Sequence, residues 1–452
     1  ESRPSMFEAM SVSYRELGSS VALGRTPTAL VQGRMVGGSS PINGAICWRL
    51  PRDVWDRWAL DDPALRDALP RDVLEAVPDA PEVGLGGADA ARGVQGAKGE
   101  RMAAGAGALA LAHEPIRRNV VGCRGSGRCL QGCPHGAKRS VDLTLLADAL
   151  ADGARVLSSV EVQRVVVERG RAVAVVGRTP SGTPVRVEAA RGVVLAASAV
   201  QTLAQGPVGR HFQAHPGVSM VGRFPHEVRS WEGATQGYQV TGLRHEGLKF
   251  ETLGYGLDLL AGRTKGFGDE LGARLGDLAH LADWGAAVKA EAHGRVRVVR
   301  GRPVVTYQPT ARDVALFRRG LRVMGEMMLA AGAREVDPKV RGWASPLRTV
   351  GDLRRLERDG PRRPSAYLTA ITHLFGTTRM GSDPADAVVG PDFAHWTVAG
   401  LHVADSSVFP TNTGVNPQIS IMALATLCAR RVAGVAIDAS PQTVPSPNPE
   451  TR

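Results

Sequence analysis

A short apolar run followed by a helix-start signal near the carboxyl end is the feature that most constrains this fold. Residues 401–405 predict a buried strand that ends in a carboxylate. Asn416 and Pro417 then precede a long apolar segment, which is predicted to be helical from Gln418 to about Val435. Asparagine favours the N-cap and proline the first helical position, so Asn416 is the predicted N-cap. Because a helix N-terminus attracts negative charge, we expect it to face an anionic group.

A second ligand-facing segment is predicted near the amino end, where Gly37 and Gly38 are followed by serines. Paired glycines allow a tight turn whose N–H groups point at an anion. Residues 193–197 are wholly apolar and end in small residues, as in a buried parallel strand that brings the backbone to a ligand. Residues 218–310 mix strand-like and helical pieces, and residues 311–333 have strong helical periodicity. The middle of the chain therefore predicts a separate α+β unit.

Local patterns predict further elements between these segments. Residues 2–30 and 140–153 are predicted to be helical, and residues 78–112 to form a connector or weak helix. The tail over residues 440–452 is predicted to be disordered. Strands are predicted over residues 156–168, 171–178 and 185–187.

Composition excludes several classes of protein. The 452-residue chain has 43% hydrophobic and 22% charged residues, which is typical of globular proteins. No apolar run reaches the roughly 18 residues that a membrane-spanning helix needs. Basic residues exceed acidic ones by 55 − 44 = 11, but the arginines are dispersed, so we expect a solvated basic surface and no nucleic-acid partner. The cytoplasm and the periplasm both remain open as compartments.

Three separated segments together resemble one family. Residues 33–58 contain GRMVGGSSPIN and, further on, WDRW, and residues 193–203 form the apolar strand and the turn after it. Residues 373–417 contain HLFGTTRMG, VADSSVFP and GVNP. In this order the segments resemble the signatures of the glucose-methanol-choline (GMC) flavoprotein oxidoreductases, including bacterial alcohol and sugar dehydrogenases. The resemblance implies a bound FAD and oxidation of an alcohol.

The fold implied by the resemblance is α/β, with a Rossmann-like FAD-binding domain and an inserted α+β substrate-binding domain of antiparallel sheet plus helices. Residues 1–217 and 366–452 would form the discontinuous FAD-binding domain, and residues 218–365 the substrate-binding domain. Ile42 stands where some relatives carry a histidine that attaches the flavin, so non-covalent FAD is expected. The residues implied at the cofactor are Gly37, Gly38, Ser39, Asn43, Gly44, Val162, Ala197, Asp405, Ser406, Asn416 and Pro417.

His373 and Asn416 are the catalytic residues that the resemblance implies. A neutral imidazole can take the hydroxyl proton of an alcohol while hydride leaves the carbinol carbon for flavin N5. An asparagine amide cannot take a proton, but it can hold the substrate oxygen. His373 is therefore the expected base, and Asn416 orients the substrate. His211 and His215 resemble a recurring turn of the family and are interpreted as structural.

Cys123, Cys129 and Cys133 form a glycine-punctuated cluster that needs its own explanation. Three thiolates suit an iron–sulfur cluster, and the spacing is similar to that in FAD-dependent glucose dehydrogenases, which pass electrons through such a cluster to a cytochrome. Free or structural thiols are a second interpretation, and zinc with His135 as fourth ligand is a third.

The sequence also departs from the family pattern. The amino-terminal βαβ unit with GxGxxG is absent from the residues given, so we expect it before Glu1 or on a second chain. Ser198 stands where relatives mostly have glycine. The expected substrate is a small-molecule alcohol, either a sugar, a sterol or a long-chain alcohol, and the acceptor oxygen, a quinone or a cytochrome. A non-catalytic relative that acts as a binding protein is the alternative.

Overall fold

The structure is a computed structural model that describes residues 2–76, 93–202, 208–262, 264 and 266–435. The predicted tail over residues 440–452 and the first part of the predicted connector, residues 78–92, lie outside these residues. The helices are α1 (Met6–Ser13), α2 (Arg52–Asp61), α3 (Pro63–Ala68), α4 (Arg71–Ala76), α5 (Gly96–Ala108), α6 (Leu145–Ala151), α7 (Ser198–Gln201), α8 (Leu257–Gly262), α9 (Gly268–Gly276), α10 (Ala311–Ala330), α11 (Val350–Asp359) and α12 (Gln418–Ala433).

The strands lie in three sheets. They are β1 (Val21–Leu23), β2 (Thr28–Leu30), β3 (His113–Pro115), β4 (Glu161–Glu168), β5 (Arg171–Arg178), β6 (Pro184–Glu188), β7 (Val193–Leu195), β8 (Gln213–Arg223), β9 (Tyr238–Val240), β10 (Leu248–Leu253), β11 (Leu281–Val288), β12 (Arg295–Val299), β13 (Arg302–Thr306), β14 (Glu335–Asp337), β15 (Ala370–Phe375) and β16 (Leu401–Val403).

In the described part of the chain, eleven strands form one large mixed sheet with the order β12-β13-β1-β2-β15-β8-β11-β10-β9-β3, and β14 also pairs with β8. Its central strands are antiparallel: β11 pairs with β8, and β10 pairs with β11. β15 runs parallel to β2 and antiparallel to β8. This sheet draws strands from both predicted domains, and β8 crosses the boundary at residues 217 and 218. The division into two domains stays a prediction.

Helix α10 covers one face of the large sheet. Thr310 caps it through a reciprocal capping box with Asp313, which satisfies the first free N–H groups of the helix. Its apolar side chains pack on those of β8, β10 and β11, and burial of each large side chain contributes about 1.5–3 kcal/mol. The largest fully buried members of this core include Trp284, Phe250 and Phe317. This packing fixes the central strands, which carry most of the candidate site.

The two smaller sheets lie in the region predicted to bind the cofactor. β4, β5 and β6 form an antiparallel sheet, and β7 pairs in parallel with β16. Val193, Ala172 and Leu401 belong to a small core between these sheets. α12 packs its apolar side on a further core that contains Trp58 and Phe409.

The mixed α/β class and the antiparallel sheet with helices are confirmed. β5 and α10 begin where predicted, but the prediction of helix over residues 2–30 is wrong beyond Ser13, because residues 21–30 pair as β1 and β2. Tertiary pairing overrides the local pattern there. Among the described residues, no helix combines the length and apolar character that crossing a membrane requires.

Candidate active site

His373 lies at an irregularity in the pairing of β15 with β8. Two residues of β15, Thr372 and His373, oppose the single residue His215 of β8 between regularly paired positions. This is a β-bulge, which turns a side chain away from the direction that strict alternation would give it. The bulge therefore aims the imidazole of His373 at the imidazole of His215.

The two imidazoles are hydrogen-bonded to each other. His215 Nδ1 lies 3.1 Å from His373 Nδ1, and the ring planes are nearly perpendicular, at 83°. The other nitrogen of His215, Nε2, lies 3.1 Å from Asn412 Oδ1 and 2.8 Å from the backbone nitrogen of Gly414. One edge of His373 is thus fixed by protein, and its Nε2 is left for other partners.

The tautomer of His215 decides which nitrogen of His373 carries the proton. When Nε2–H of His215 donates to Asn412, Nδ1 of His215 accepts from Nδ1–H of His373, and Nε2 of His373 is unprotonated. When Nε2 accepts from Gly414, the reverse pattern puts a proton on Nε2 of His373. Asn412 directs its Nδ2 to the carbonyl of Ala290 at 2.8 Å, so its Oδ1 faces His215.

His373 is held in its neutral form. Burial lowers the pKa of His373 to about 4, while the Glu251 carboxylate raises it and the Lys249 ammonium lowers it. The pKa of His215 is also lowered, mainly by burial and secondarily by the charge of His373. Both rings are therefore uncharged at neutral pH, which is the state that a general base requires.

Asn416 lies just before α12 and contacts the same charged pair. Its Oδ1 accepts from Lys249 Nζ at 2.6 Å. Lys249 in turn is ion-paired with Glu251, and these two side chains are only 1% and 8% exposed. The N-cap of α12 is Pro417, with no side-chain cap. The prediction that Asn416 is the N-cap is therefore wrong by one residue, because its side chain bonds to Lys249 rather than to the helix backbone.

The glycine-rich turn lies next to the start of α12. Gly37 and Gly38 have φ angles of 87° and 65°, in the left-handed region that favours glycine. Ser39 accepts from a backbone N–H within the same turn. Asn43 donates from Nδ2 to Oε1 of Gln418 at 2.5 Å, which ties this loop to the first turn of α12.

Gly44 lies against the charged pair on its other side. A Cβ at this position would lie 2.2 Å from Oε1 of Gln236, so a larger residue would displace this side-chain amide. Gln236 uses its Nε2 to donate to Glu251 at 2.6 Å. Gln236, Glu251 and Lys249 therefore link the glycine-rich loop to Asn416.

The remaining predicted cofactor residues lie around the two-stranded sheet. Asp405 accepts at Oδ2 from Ser198 N–H at 2.8 Å and from Thr202 at 2.5 Å, and at Oδ1 from Ser407 N–H at 2.8 Å. Its carboxylate therefore holds together the turns after β7 and β16, which include Ala197 and Ser406. Ser198 has a φ of 77°, which explains why glycine suits this position. Val162 stands apart from these turns, exposed on β4.

One polar atom near the start of α12 indicates space for a ligand. Ser420 Oγ is buried and has no hydrogen-bond partner among the described residues. It lies in the first turn of α12, where backbone N–H groups also lack helical acceptors. An unpaired hydroxyl and a helix N-terminus, next to a turn that Asn43 holds in place, fit the polar edge of a flavin.

The cysteines agree with the interpretation as free or structural thiols rather than with a metal site. Arg118 donates from Nη2 to Cys129 Sγ at 2.9 Å and from Nη1 to Cys123 Sγ at 3.6 Å. Its guanidinium therefore occupies the position beside these two sulfur atoms that a metal ion would need. Over residues 2–76, 93–202, 208–262, 264 and 266–435, no three His, Cys, Asp or Glu side chains could hold a metal ion. The predictions of an iron–sulfur cluster at Cys123, Cys129 and Cys133, and of zinc with His135, are not supported.

The cysteines instead belong to a buried ionic cluster below the glycine-rich loop. Lys138 donates to the backbone carbonyls of Pro41, Asn43 and Cys129 at 2.7–2.8 Å. Burial raises the pKa of Cys129, but the charges of Arg118 and Lys138 outweigh it and lower this pKa to about 7. The thiolate therefore compensates two buried cations.

The structure thus brings together most of the predicted residues and adds three. Contacts through Gln236, Glu251 and Lys249 join Gly44 to Asn416, and Asn43 bonds to the first turn of the helix that follows. His373 is coupled to the same charged pair through its electrostatics, whereas Val162 lies apart. Sequence reasoning interpreted His215 as structural and did not single out Lys249 or Glu251. Burial of a Lys-x-Glu pair on an otherwise apolar strand was the available signal, since buried charges occur mainly in pairs or at functional sites.

Comparison with known families agrees with this geometry. Two family models, both described as GMC oxidoreductase, match residues 10–216 and 290–425. An uncharacterized GMC-type oxidoreductase of Mycobacterium tuberculosis (strain H37Rv) is 35% identical over 423 residues, which cover 91% of this chain and 66% of the relative. Another, of Sinorhizobium fredii, is 30% identical and covers 93% of this chain and 85% of the relative.

More distant relatives have named activities. A long-chain-alcohol oxidase of Arabidopsis thaliana is 25% identical over 90% of this chain, and the chain spans 60% of its length. Among solved structures, pyridoxine 4-oxidase from Mesorbium loti superimposes with a TM-score of 0.69 at 16% identity, covering 96% of this chain and 93% of that one. Formate oxidase of Aspergillus oryzae, studied for modification of its FAD, gives 0.68 at 12% identity, covering 95% and 90%. The family models and the bacterial relatives together establish that the chain belongs to the GMC oxidoreductases.

Proposed function

We propose that this protein oxidises an alcohol to the corresponding carbonyl compound with FAD, with His373 as base and Asn416 orienting the substrate oxygen. The observation that carries the proposal is the bulge at His373, where one ring edge is held by His215 and the other is left free. An imidazole with one nitrogen fixed by a neighbouring side chain and the other without a partner among the described residues can bind a substrate hydroxyl at the second nitrogen.

FAD is proposed as a non-covalent cofactor. The residues that would hold it are the turn at Gly37, Gly38 and Ser39, the loop at Asn43 and the start of α12 at Pro417. When bound, FAD supplies the acceptor for the hydride that leaves the carbinol carbon. The unpaired hydroxyl of Ser420 and the positive end of α12 support this assignment.

The protein groups carry out the proton chemistry. In the tautomer in which His215 donates to Asn412, Nε2 of His373 is unprotonated and can take the hydroxyl proton. Asn416 holds the same oxygen, so that the carbinol hydrogen is directed to one side of the site. Molecular oxygen is our proposed final electron acceptor, because long-chain-alcohol oxidase and pyridoxine 4-oxidase are both named as oxidases.

The test is an absorption spectrum of the purified full-length protein, followed by anaerobic addition of 1-decanol, benzyl alcohol and D-glucose in separate samples. We expect a flavin spectrum that one of these classes bleaches, and hydrogen peroxide on readmission of air. A folded protein without flavin would instead support a non-catalytic relative, and bound flavin that no alcohol bleaches would contradict the assigned reaction.

A further inference from the structure

The buried pair of Lys249 and Glu251 has no part in the function proposed so far. Both residues lie on β10 and are withdrawn from water. Lys249 bonds to Asn416, and the charges of both residues act on His373. Removing two charges from water costs several kcal/mol per ion, which a pair recovers only with good geometry and further hydrogen bonds. A pair retained at this position therefore calls for a specific explanation.

The surroundings of Lys249 leave it little freedom. Its ammonium donates to Glu251 and to Asn416 Oδ1, and it lies 5.3 Å from the centroid of the Trp48 ring. Glu251 is held in turn by Gln236. An electrostatic interaction with Trp48 and two hydrogen bonds fix the ammonium in one position.

This arrangement determines the orientation of the Asn416 amide. An ammonium group has three donors and no acceptor, so only the oxygen of the amide can face Lys249. Nδ2 must then point the other way. The carboxylate of Glu251 also hydrogen-bonds with the side chain of Asn416, which uses one N–H and leaves the second for a ligand.

We propose that Lys249 and Glu251 are positioning residues that lock the Asn416 amide, so that its Nδ2–H donates to the substrate oxygen. The inference rests on the proposed function and deepens it, because it makes Asn416 a donor to an oxygen that gains negative charge as its proton leaves. A donor fixed in advance stabilises that charge without reorganisation during the reaction.

The first test is a double-mutant cycle with Lys249→Met and Asn416→Ala, with the rate of anaerobic flavin reduction as the measurement. We expect Lys249→Met to lower this rate about a hundredfold, which is the effect of misplacing a catalytic contact by about 1 Å. In the Asn416→Ala background the same substitution should have no further effect. Equal effects in both backgrounds would show that Lys249 does not act through Asn416.

The matched control is Lys339→Met. Lys339 pairs with Asp283 at 3.0 Å and is also largely buried, with 17% of its side chain exposed. The substitution removes a lysine–carboxylate pair from the same sheet, but Lys339 makes no contact with Asn416 among the described hydrogen bonds. We expect its reduction rate to remain within about threefold of the wild type.

Asn416→Asp removes the amide donor. A carboxylate at this position keeps an acceptor for the ammonium but has no N–H for the substrate. We expect a loss in rate as large as that of Asn416→Ala, with FAD retained. A near-normal rate would overturn the inference, whereas a wild-type protein that no alcohol reduces would overturn the proposed function itself.

A measurement without substrate provides a second readout. In protein labelled with ¹⁵N-asparagine, the two Nδ2 protons of Asn416 should give separate, slowly exchanging NMR signals, identified by their loss in Asn416→Asp. Lys249→Met should merge or broaden them, because the amide becomes free to rotate. Unchanged signals in Lys249→Met would contradict the proposed lock.

Discussion

Two buried charged clusters lie close together in this protein, and they differ in what they leave unsatisfied. The active-site cluster consists of His215, Lys249, Glu251, His373 and Asn416. In the cysteine cluster, whose members are Arg118, Cys123, Cys129 and Lys138, the cations bond to sulfur atoms and backbone carbonyls of the loop above.

The difference teaches that burial of charge alone does not identify a catalytic site. In the cysteine cluster the cations donate to groups of the protein itself, including the carbonyls of Pro41 and Asn43. These hydrogen bonds stabilise the glycine-rich loop. In the active-site cluster, one nitrogen of His373 and one N–H of Asn416 have no partner within the described ranges. If this distinction is correct, substitutions in the active-site cluster change mainly catalysis, and substitutions in the cysteine cluster change mainly stability.

Removal of the base should have the largest effect. We expect His373→Ala to lower the rate of flavin reduction by about 10²–10⁴, which is the contribution of a positioned base, while FAD stays bound. Stopped-flow absorption under anaerobic conditions measures this rate. His280→Ala is the control, since His280 is a partly buried histidine that bonds to the carbonyl of Phe224. Similar rates for both variants would remove His373 from its assigned role.

Lys138→Met tests whether the cysteine cluster contributes mainly to stability. The substitution leaves three carbonyl acceptors and a thiolate without their cation, so we expect a loss of about 3–5 kcal/mol in the free energy of unfolding. Urea denaturation followed by fluorescence measures it. The flavin reduction rate of the fraction that retains FAD should stay close to normal. An unchanged urea midpoint would show that the cysteine cluster does not stabilise the loop.

His215→Phe keeps the bulge filled with an aromatic ring but removes the hydrogen bond to His373. We expect about a tenfold lower rate of flavin reduction, because the proton of His373 is no longer held on Nδ1. His211→Phe is the control, since His211 pairs with Asp386 at 3.0 Å, away from His373. A wild-type rate in His215→Phe would return His215 to the purely structural role that the sequence suggested.

The stability of the two clusters should depend on pH in separate windows. The pKa of His373 falls to about 4 in the folded protein, against about 6.5 in unfolded chains. Between these values the unfolded state binds more protons, so stability falls as the pH drops from about 6.5 to about 4. The pKa of Cys129 falls from 9.0 to about 7, so its contribution is complete above about 9 and is lost as the pH falls through about 7.

Urea midpoints measured across both windows test these signs. His373→Ala should reduce the slope in the acidic window only, and Cys129→Ala should reduce the slope in the neutral-to-basic window only. A loss of both slopes in either variant would mean that the clusters titrate as one.

The smallest expected effect concerns thiol reactivity. Burial raises the pKa of Cys47 to about 12 and that of Cys428 to about 11, whereas Cys129 is poised near neutrality. At pH 7.5 we expect iodoacetamide to modify Cys129 before Cys47 and Cys428, as measured by peptide mass spectrometry, because the thiolate is the reactive form. Faster labelling of Cys47 would contradict the ionic description of the cysteine cluster.

The parts of the fold and site that the sequence predicted are those with strong local signals. The periodicity of α10 and the apolar run of β16 are signals carried by consecutive residues, and the resemblance placed His373 and Asn416 in one reaction. β1 and β2 pair with each other but were missed because their second partners, β13 and β15, lie far away in the chain. Lys249 was missed for the same reason, since its meaning depends on Asn416, 167 residues further along.

The bulge at Thr372 and His373 gives this strand an unusual vulnerability. Along a regular strand, side chains alternate between the two faces, and an extra residue reverses every position beyond it. Restoring plain alternation by deleting Thr372 would turn the imidazole into the opposite face of the sheet while leaving the composition almost unchanged. Efforts to evolve new substrate ranges in this protein should therefore vary side chains freely around the pocket, but preserve the number of residues between Ile371 and Leu374.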